Sequence, residues 1–180
     1  MLDNNYMNSS VQNGGVPGVH GCLEHTSVIS KIIEDAKRNH GSLTVLRLDL
    51  TNAYGTIPHK LVETTLKTCH VPEQFQKLLQ CYFDKFNMRF TSGNFTTDWQ
   101  GLEVGILTGC TISVILFSAA INLLIKSAEK LRWGAALASC IHQAPIRAFR
   151  DNLNITAKSE PEGRWILGLG RAHRLGIDGV

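Results

Sequence analysis

The chain has 180 residues, 43% of them apolar and 18% charged, with a formal net charge of +3. That composition excludes a disordered polyelectrolyte and supplies enough apolar material for one domain with a real core. The mild positive charge permits a polyanionic partner without demanding one. Five cysteines (Cys22, Cys69, Cys81, Cys110 and Cys140) are scattered, odd in number and form no Cys-x-x-Cys pair. This argues against a zinc site and against any disulfide partner, and for an intracellular, reducing compartment, nuclear or cytoplasmic. The sequons at Asn8, Asn94 and Asn154 carry little weight, because no signal peptide precedes them.

Residues 1–21 are polar and Gly-rich and read as an irregular, partial N-terminal segment. Cys22, Val28, Ile29, Ile32, Ile33 and Ala36 recur at helical spacing, and His40-Gly41 is the expected stop. Residues 43–50 form an apolar run that predicts a buried strand. Pro58 and Pro72 each open a helix, since the first helical turn needs no N–H donor. The second of these helices is expected to turn Phe75, Leu78, Leu79, Tyr82 and Phe83 inward. Residues 87–100 suggest a hairpin turning at Ser92-Gly93-Asn94, residues 111–130 a strongly apolar helix, and Ile146–Phe149 with Leu153–Thr156 a second hairpin around Arg150-Asp151-Asn152. Residues 161–180 are rich in Gly and Arg and show no clear period. Helices mixed with antiparallel strands indicate an α+β fold, with helices on one face of a sheet.

Asp49 closes the first strand. A carboxylate at the end of a buried strand is costly unless a cation, a metal or a proton transfer uses its charge. Arg47 shares its strand face and is one candidate partner. Asp151 is the comparable acid elsewhere, although Asp-Asn between two strands is also ordinary turn chemistry. Val104–Ile125 contains no charge and is long enough to span a bilayer. Its glycines, threonines and serines, together with Asn122, favour a core helix instead, and no membrane is expected.

Four segments occur in an order that resembles the reverse transcriptase domain of non-LTR-type retroelements. QNGGVPGVHGCLEHTSVI looks like the segment that opens the family's core. RLDLTNAYGTIPHKLV looks like the first catalytic motif, GLEVGILTGCTISVILFSAAINLLI like the loop and helix that support template and nucleotide, and IRAFRDNLNIT like the second catalytic hairpin. The resemblance covers most of the chain, from about residue 12 to about residue 167. It implies a right-hand polymerase palm with part of the fingers, an antiparallel sheet covered by helices on one face, and no thumb. The palm-like core is expected over 22–160 and a non-matching tail over 161–180, as in a truncated copy.

The implied reaction is template-directed addition of a dNTP to a primer 3′-hydroxyl, with an RNA template and a DNA primer as partners. By position, Asp49, Asp151 and the Leu50 backbone carbonyl would hold Mg²⁺, or Mn²⁺ in its place. Tyr54 matches the aromatic beneath the incoming sugar, and Thr108 and Gly109 the loop that contacts the nucleotide. Two positions depart from the family pattern: Asn152 stands where a second acid is usual, and Arg150 where a small or apolar residue is usual. The expectation is therefore a polymerase domain inactive or impaired in this chain. The alternatives are a catalytically dead nucleic-acid-binding relic, or a membrane-associated protein with a span at 104–125.

Overall fold

The computed structural model describes residues 8, 10–14, 18, 22–131, 134–137 and 141–174, with the backbone alone at 131 and 169–174. Helix α1 spans Leu23–Arg38 and buries His25, Ile29 and Ile32, which lie on one stripe at intervals of four and three residues. It ends at His40, whose φ of +51° lets the Gly41 N–H donate to the Ala36 carbonyl at 2.9 Å. The expected stop is present, with histidine in the left-handed position that glycine more often fills. Strand β1 is Thr44–Asp49, followed by a one-turn helix, α2, at Ala53–Thr56.

Helices α3 (His59–Thr68) and α4 (Glu73–Lys85) each follow a proline, as expected. Leu61, Val62, Thr65 and Leu66 bury the inner face of α3, and Leu79 and Phe83 that of α4. Phe75 and Leu78 point to solvent, contrary to the sequence reading. They lie on turns of α4 whose facing side meets no second layer, so apolar character alone misassigned them. Short pairs β2 (Asn87–Met88) with β5 (Gln100–Gly101), and β3 (Thr91–Ser92) with β4 (Phe95–Thr96), make the expected hairpin, and Gly93 takes φ +58° at its tip.

Helix α5 covers Thr111–Leu131 and is long and apolar enough to cross a membrane by length and composition. Leu116, Phe117, Ala120, Ile121, Ile125 and Ala128 are buried, and the helix packs against α3 and against the last strands and helix of the chain. A helix apolar on most sides is what a core needs when partners surround it. Residues 104–110 are loop rather than helix, so the span read at 104–125 does not exist as one element.

Strands β6 (Ile146–Phe149) and β7 (Asn152–Ala157) form the second hairpin, and β7 also pairs with β1. The result is an antiparallel sheet in the order β1-β7-β6. Alternation sends Leu46, Leu48, Ala148, Leu153 and Ile155 to the inner face, against α5. Arg47, Asp49, Asn152 and Asn154 fall on the outer face, which α1 partly covers.

A last helix, α6 (Glu160–Arg174), packs on β1, β7 and α5, with Ile166 buried. The sequence reading assigned no element there. Its start is nonetheless signalled: Pro161 lies in the first turn, and the Glu162 carboxylate accepts the Lys158 N–H at 2.9 Å. Gly163 brings the helix close to the sheet, since a Cβ there would stand 3.3 Å from Leu46 Cδ1.

Candidate active site on the β1–β7 pair

The register of β1 against β7 sets Asp49 opposite Asn152. One step further, the Leu50 N–H donates to the Asp151 carbonyl at 3.3 Å. The two acids singled out by sequence therefore stand on neighbouring strands, Asp49 ending β1 and Asp151 lying in the tight turn before β7. Asp49 is exposed, which corrects the expectation of a buried acid. Leu48 takes the inward position, so the carboxylate after it emerges on the open face and needs no internal counter-charge. Arg47 lies on the same face but forms no ion pair with it among the described residues.

The β6–β7 turn consists of Arg150 and Asp151. Arg150 takes φ +56°, a region that residues with a Cβ seldom occupy. Asn152 Nδ2 donates to Asp151 Oδ1 at 3.5 Å, a long bond. An amide at this position offers a donor and no charge, where a carboxylate would repel Asp151 and add a ligand.

The turn is held from behind by the segment that begins at Gln12, which the resemblance marks as opening the family's core. Gln12 forms a parallel bridge with Ala148, whose N–H donates to the Val11 carbonyl at 2.7 Å and whose carbonyl accepts the Asn13 N–H at 3.2 Å. Gln12 is 0% exposed, and its Oε1 accepts both the Gly14 N–H (2.9 Å) and the Arg150 N–H (3.3 Å). Any side chain at Gly14 would collide with the backbone and side chain of Arg150. The Ser118 hydroxyl on α5 donates to the Gly14 carbonyl at 2.8 Å and ties the segment to the core. Gln12 and Gly14 are thus positioning residues for the turn. The motif order singles out their segment, but the attachment to the turn leaves no local sequence signal, because the contacts span more than a hundred residues.

Tyr54 on α2 stacks on Phe117 of α5, with ring centroids 4.6 Å apart and planes 19° off parallel. Burial raises its phenol above the usual range, with Arg150 opposing and Asp151 adding to the shift, so the ring lies within the field of the turn. The loop before α5 is pinned to this tyrosine. The Ile106 N–H donates to the Tyr54 carbonyl at 2.7 Å, and the Gly105 N–H to the Ile57 carbonyl at 2.9 Å. His59 Nε2–H donates to the Gly105 carbonyl at 2.6 Å, with its ring stacked on Phe83. Gly105 has φ +88°, and a Cβ there would strike the Gly55 backbone. Thr108 and Gly109 follow, both exposed, and Gly109 has φ +90° with open space around it. They share a loop with residues bound to Tyr54 but make no bond to either acid among the described residues.

Asp49, Asp151 and the Leu50 carbonyl are hard oxygen donors, the kind a small divalent cation takes. Among the described residues no three His, Cys, Asp or Glu side chains cluster as a metal site. Cys22, Cys69, Cys81 and Cys110 are free thiols.

Known proteins share the sequence pattern and the mixed helix-and-sheet fold of this chain. The family of reverse transcriptases (RNA-dependent DNA polymerases) matches residues 7–173, and this chain belongs to it. Members of this family generally use a divalent metal. The chain is 22% identical, over 158 residues, to the retrovirus-related Pol polyprotein of the type-2 retrotransposable element R2DM of Drosophila melanogaster. That match covers 85% of this chain, which spans 15% of the length of the polyprotein. Among solved structures, apo telomerase of Candida tropicalis superposes with a TM-score of 0.62 at 10% identity, covering 87% of this chain and 32% of that one. Telomerase of Candida albicans, solved with a fragment of telomeric RNA, gives 0.48 at 11% identity, over 87% of this chain and 28% of that one.

Proposed function

We propose that this chain is the palm of an RNA-directed DNA polymerase, and that its altered hairpin leaves it impaired. The observation that carries the reading is the β1–β7 register, with Asp49 opposite Asn152 and the Leu50 N–H on the Asp151 carbonyl. Asp49, Asp151 and the Leu50 carbonyl would hold Mg²⁺, or Mn²⁺ in its place. When bound, the cation stabilises charge on the entering and leaving oxygens of phosphoryl transfer. Tyr54, clamped on Phe117, forms the plate beneath the incoming sugar and excludes a 2′-hydroxyl. Gly109, open and without a Cβ, lets the backbone beside Thr108 approach the nucleotide. An RNA template and a DNA primer are the partners that this chemistry requires.

Two side chains weaken the site. Asn152 removes a negative charge, and its amide engages Asp151. Arg150 brings a cation to the turn that competes with a metal for the acids. Primer extension on a primed RNA template with Mg²⁺ tests the reading. The chain as it stands is expected to give no measurable product. Asn152→Asp combined with Arg150→Met is expected to restore extension, and adding Asp49→Ala to that pair to abolish it. Extension that survives Asp49→Ala would sink the assignment. Restoration that fails, while salt-sensitive binding to an RNA–DNA duplex persists, would leave the second reading, a nucleic-acid-binding relic.

A further inference from the structure

A cavity of about 270 Å³ lies between the first turn of α1 and the outer face of the sheet. Cys22, His25 and Thr26 line it from α1, Arg47 from β1, and Asn152 and Asn154 from β7, over an apolar floor. His25 is 3% exposed, and neither of its ring nitrogens has a hydrogen-bond partner among the described residues. The Ser10 carbonyl lies close enough to one ring nitrogen to favour the protonated ring, outside full hydrogen-bond geometry, and also accepts from Arg147 Nη1 at 3.0 Å. One carbonyl can serve one nitrogen at most, so a buried imidazole here leaves the other unpaired, which is costly and calls for a further partner.

The surroundings specify the sign of that partner. Arg47 reaches the cavity and has no ion-pair or hydrogen-bond partner among the described residues. Arg147 on β6 acts on the ring electrostatically from outside the lining, its guanidinium bonded to the Ser10 carbonyl and Gln143 Oε1, and the one acid acting on the ring is Glu24, its exposed neighbour in sequence. Cys22, at the N-cap of the 16-residue helix α1, makes no side-chain cap bond, so among the described residues no side chain caps the positive end of that helix. One unpartnered guanidinium, a buried imidazole with a nitrogen to spare, two amides and a helix end without a side-chain cap together favour an anion with several acceptor oxygens.

We propose that this cavity binds a phosphate group. Its place on the sheet favours a phosphodiester of a nucleic-acid strand over free phosphate. Arg47 lies two positions before Asp49 on the same face, roughly 7 Å along the strand. A strand ending at the acids would pass it. The choice of a strand rests on the polymerase reading, whereas phosphate binding itself does not.

The test titrates the intact chain with inorganic phosphate, and separately with a short single-stranded DNA oligonucleotide, while the His25 imidazole resonances are followed by NMR. Both ligands are expected to move those resonances and to compete with each other. Arg47→Gln, at an exposed position that folding tolerates, is expected to weaken both by roughly tenfold or more. Asp49→Ala is expected to leave phosphate binding intact, which separates this site from the proposed catalytic one. Binding of phosphate but not of the oligonucleotide would keep the site and overturn its assignment to a strand. Unmoved His25 resonances, or equal phosphate binding by Arg47→Gln, would overturn the proposal.

Discussion

Arg150 occupies a left-handed backbone position in the turn between β6 and β7, where the lack of a Cβ would be an advantage. Holding an ordinary residue there costs about 1–2 kcal/mol. Arg150→Gly is therefore expected to raise stability by about 1 kcal/mol in urea unfolding, while Arg150→Met, which keeps the Cβ, is expected to change it by less than about 0.5 kcal/mol. Equal effects of the two substitutions would show that the turn is not strained. His25 gives a pH signature. Burial, with Arg147 adding, holds its imidazole below the ordinary 6.5, so the fold favours the neutral ring. Its contribution is present above about pH 6.5, where the unfolded ring is neutral too, and is lost as pH falls through the unfolded value toward the folded one. Wild type is expected to lose more stability than His25→Gln between about pH 7.5 and 5.5, by urea midpoints. Parallel losses would assign the effect to other groups.

Among the elements, the short N-terminal stretch at Val11–Gly14 is the one that holds the candidate site from outside the sheet. Gln12→Ala removes the acceptor shared by the Gly14 and Arg150 N–H groups. The expected outcome is faster hydrogen exchange at Arg150 and Ala148, with the amides of α3 unchanged, because α3 has no part in this attachment. Uniform protection at Ala148 in the variant would mean that the hairpin holds itself. Motif order marked this segment, but its attachment to β6 was not legible, since polar residues with long-range backbone partners leave no periodic signal. Helix α6 was missed for another reason: Gly163, Gly168 and Gly170 lower helix propensity, while the packing of Ile166 overrides it. By contrast, β1, β6 and β7 were readable, because alternation and turn residues are local.

For the molecule as a whole, α5 is the shared wall of core and site. Phe117 is 1% exposed and carries Tyr54 on its ring, so Phe117→Ala removes core volume and the tyrosine's support together. The expected loss is about 3–5 kcal/mol, a large part of a typical domain's stability, measured by urea unfolding with circular dichroism. A loss under about 1 kcal/mol would mean that the core refills the space. The fold class was legible because helix and strand periods differ. The exposure of Asp49, Phe75 and Leu78 was not, because it depends on which faces meet a second layer. The partnership of Asp49 with Asp151 was inferred from motif order, and their adjacency appears only once β7 pairs with β1.

That pairing makes the site a matter of parity. Side chains alternate along β1, so inserting or deleting a single residue between Thr44 and Leu48 would exchange the two faces of the strand ahead of Asp49. Either Asp49 would turn into the core toward α5 and Leu48 out to water, or the residues before the change would exchange faces instead. An even-numbered change would spare the face and only shift the acid along Asp151's turn. The chain can therefore absorb substitutions at β1 far more readily than a change in its length, and odd changes should be the most damaging of all.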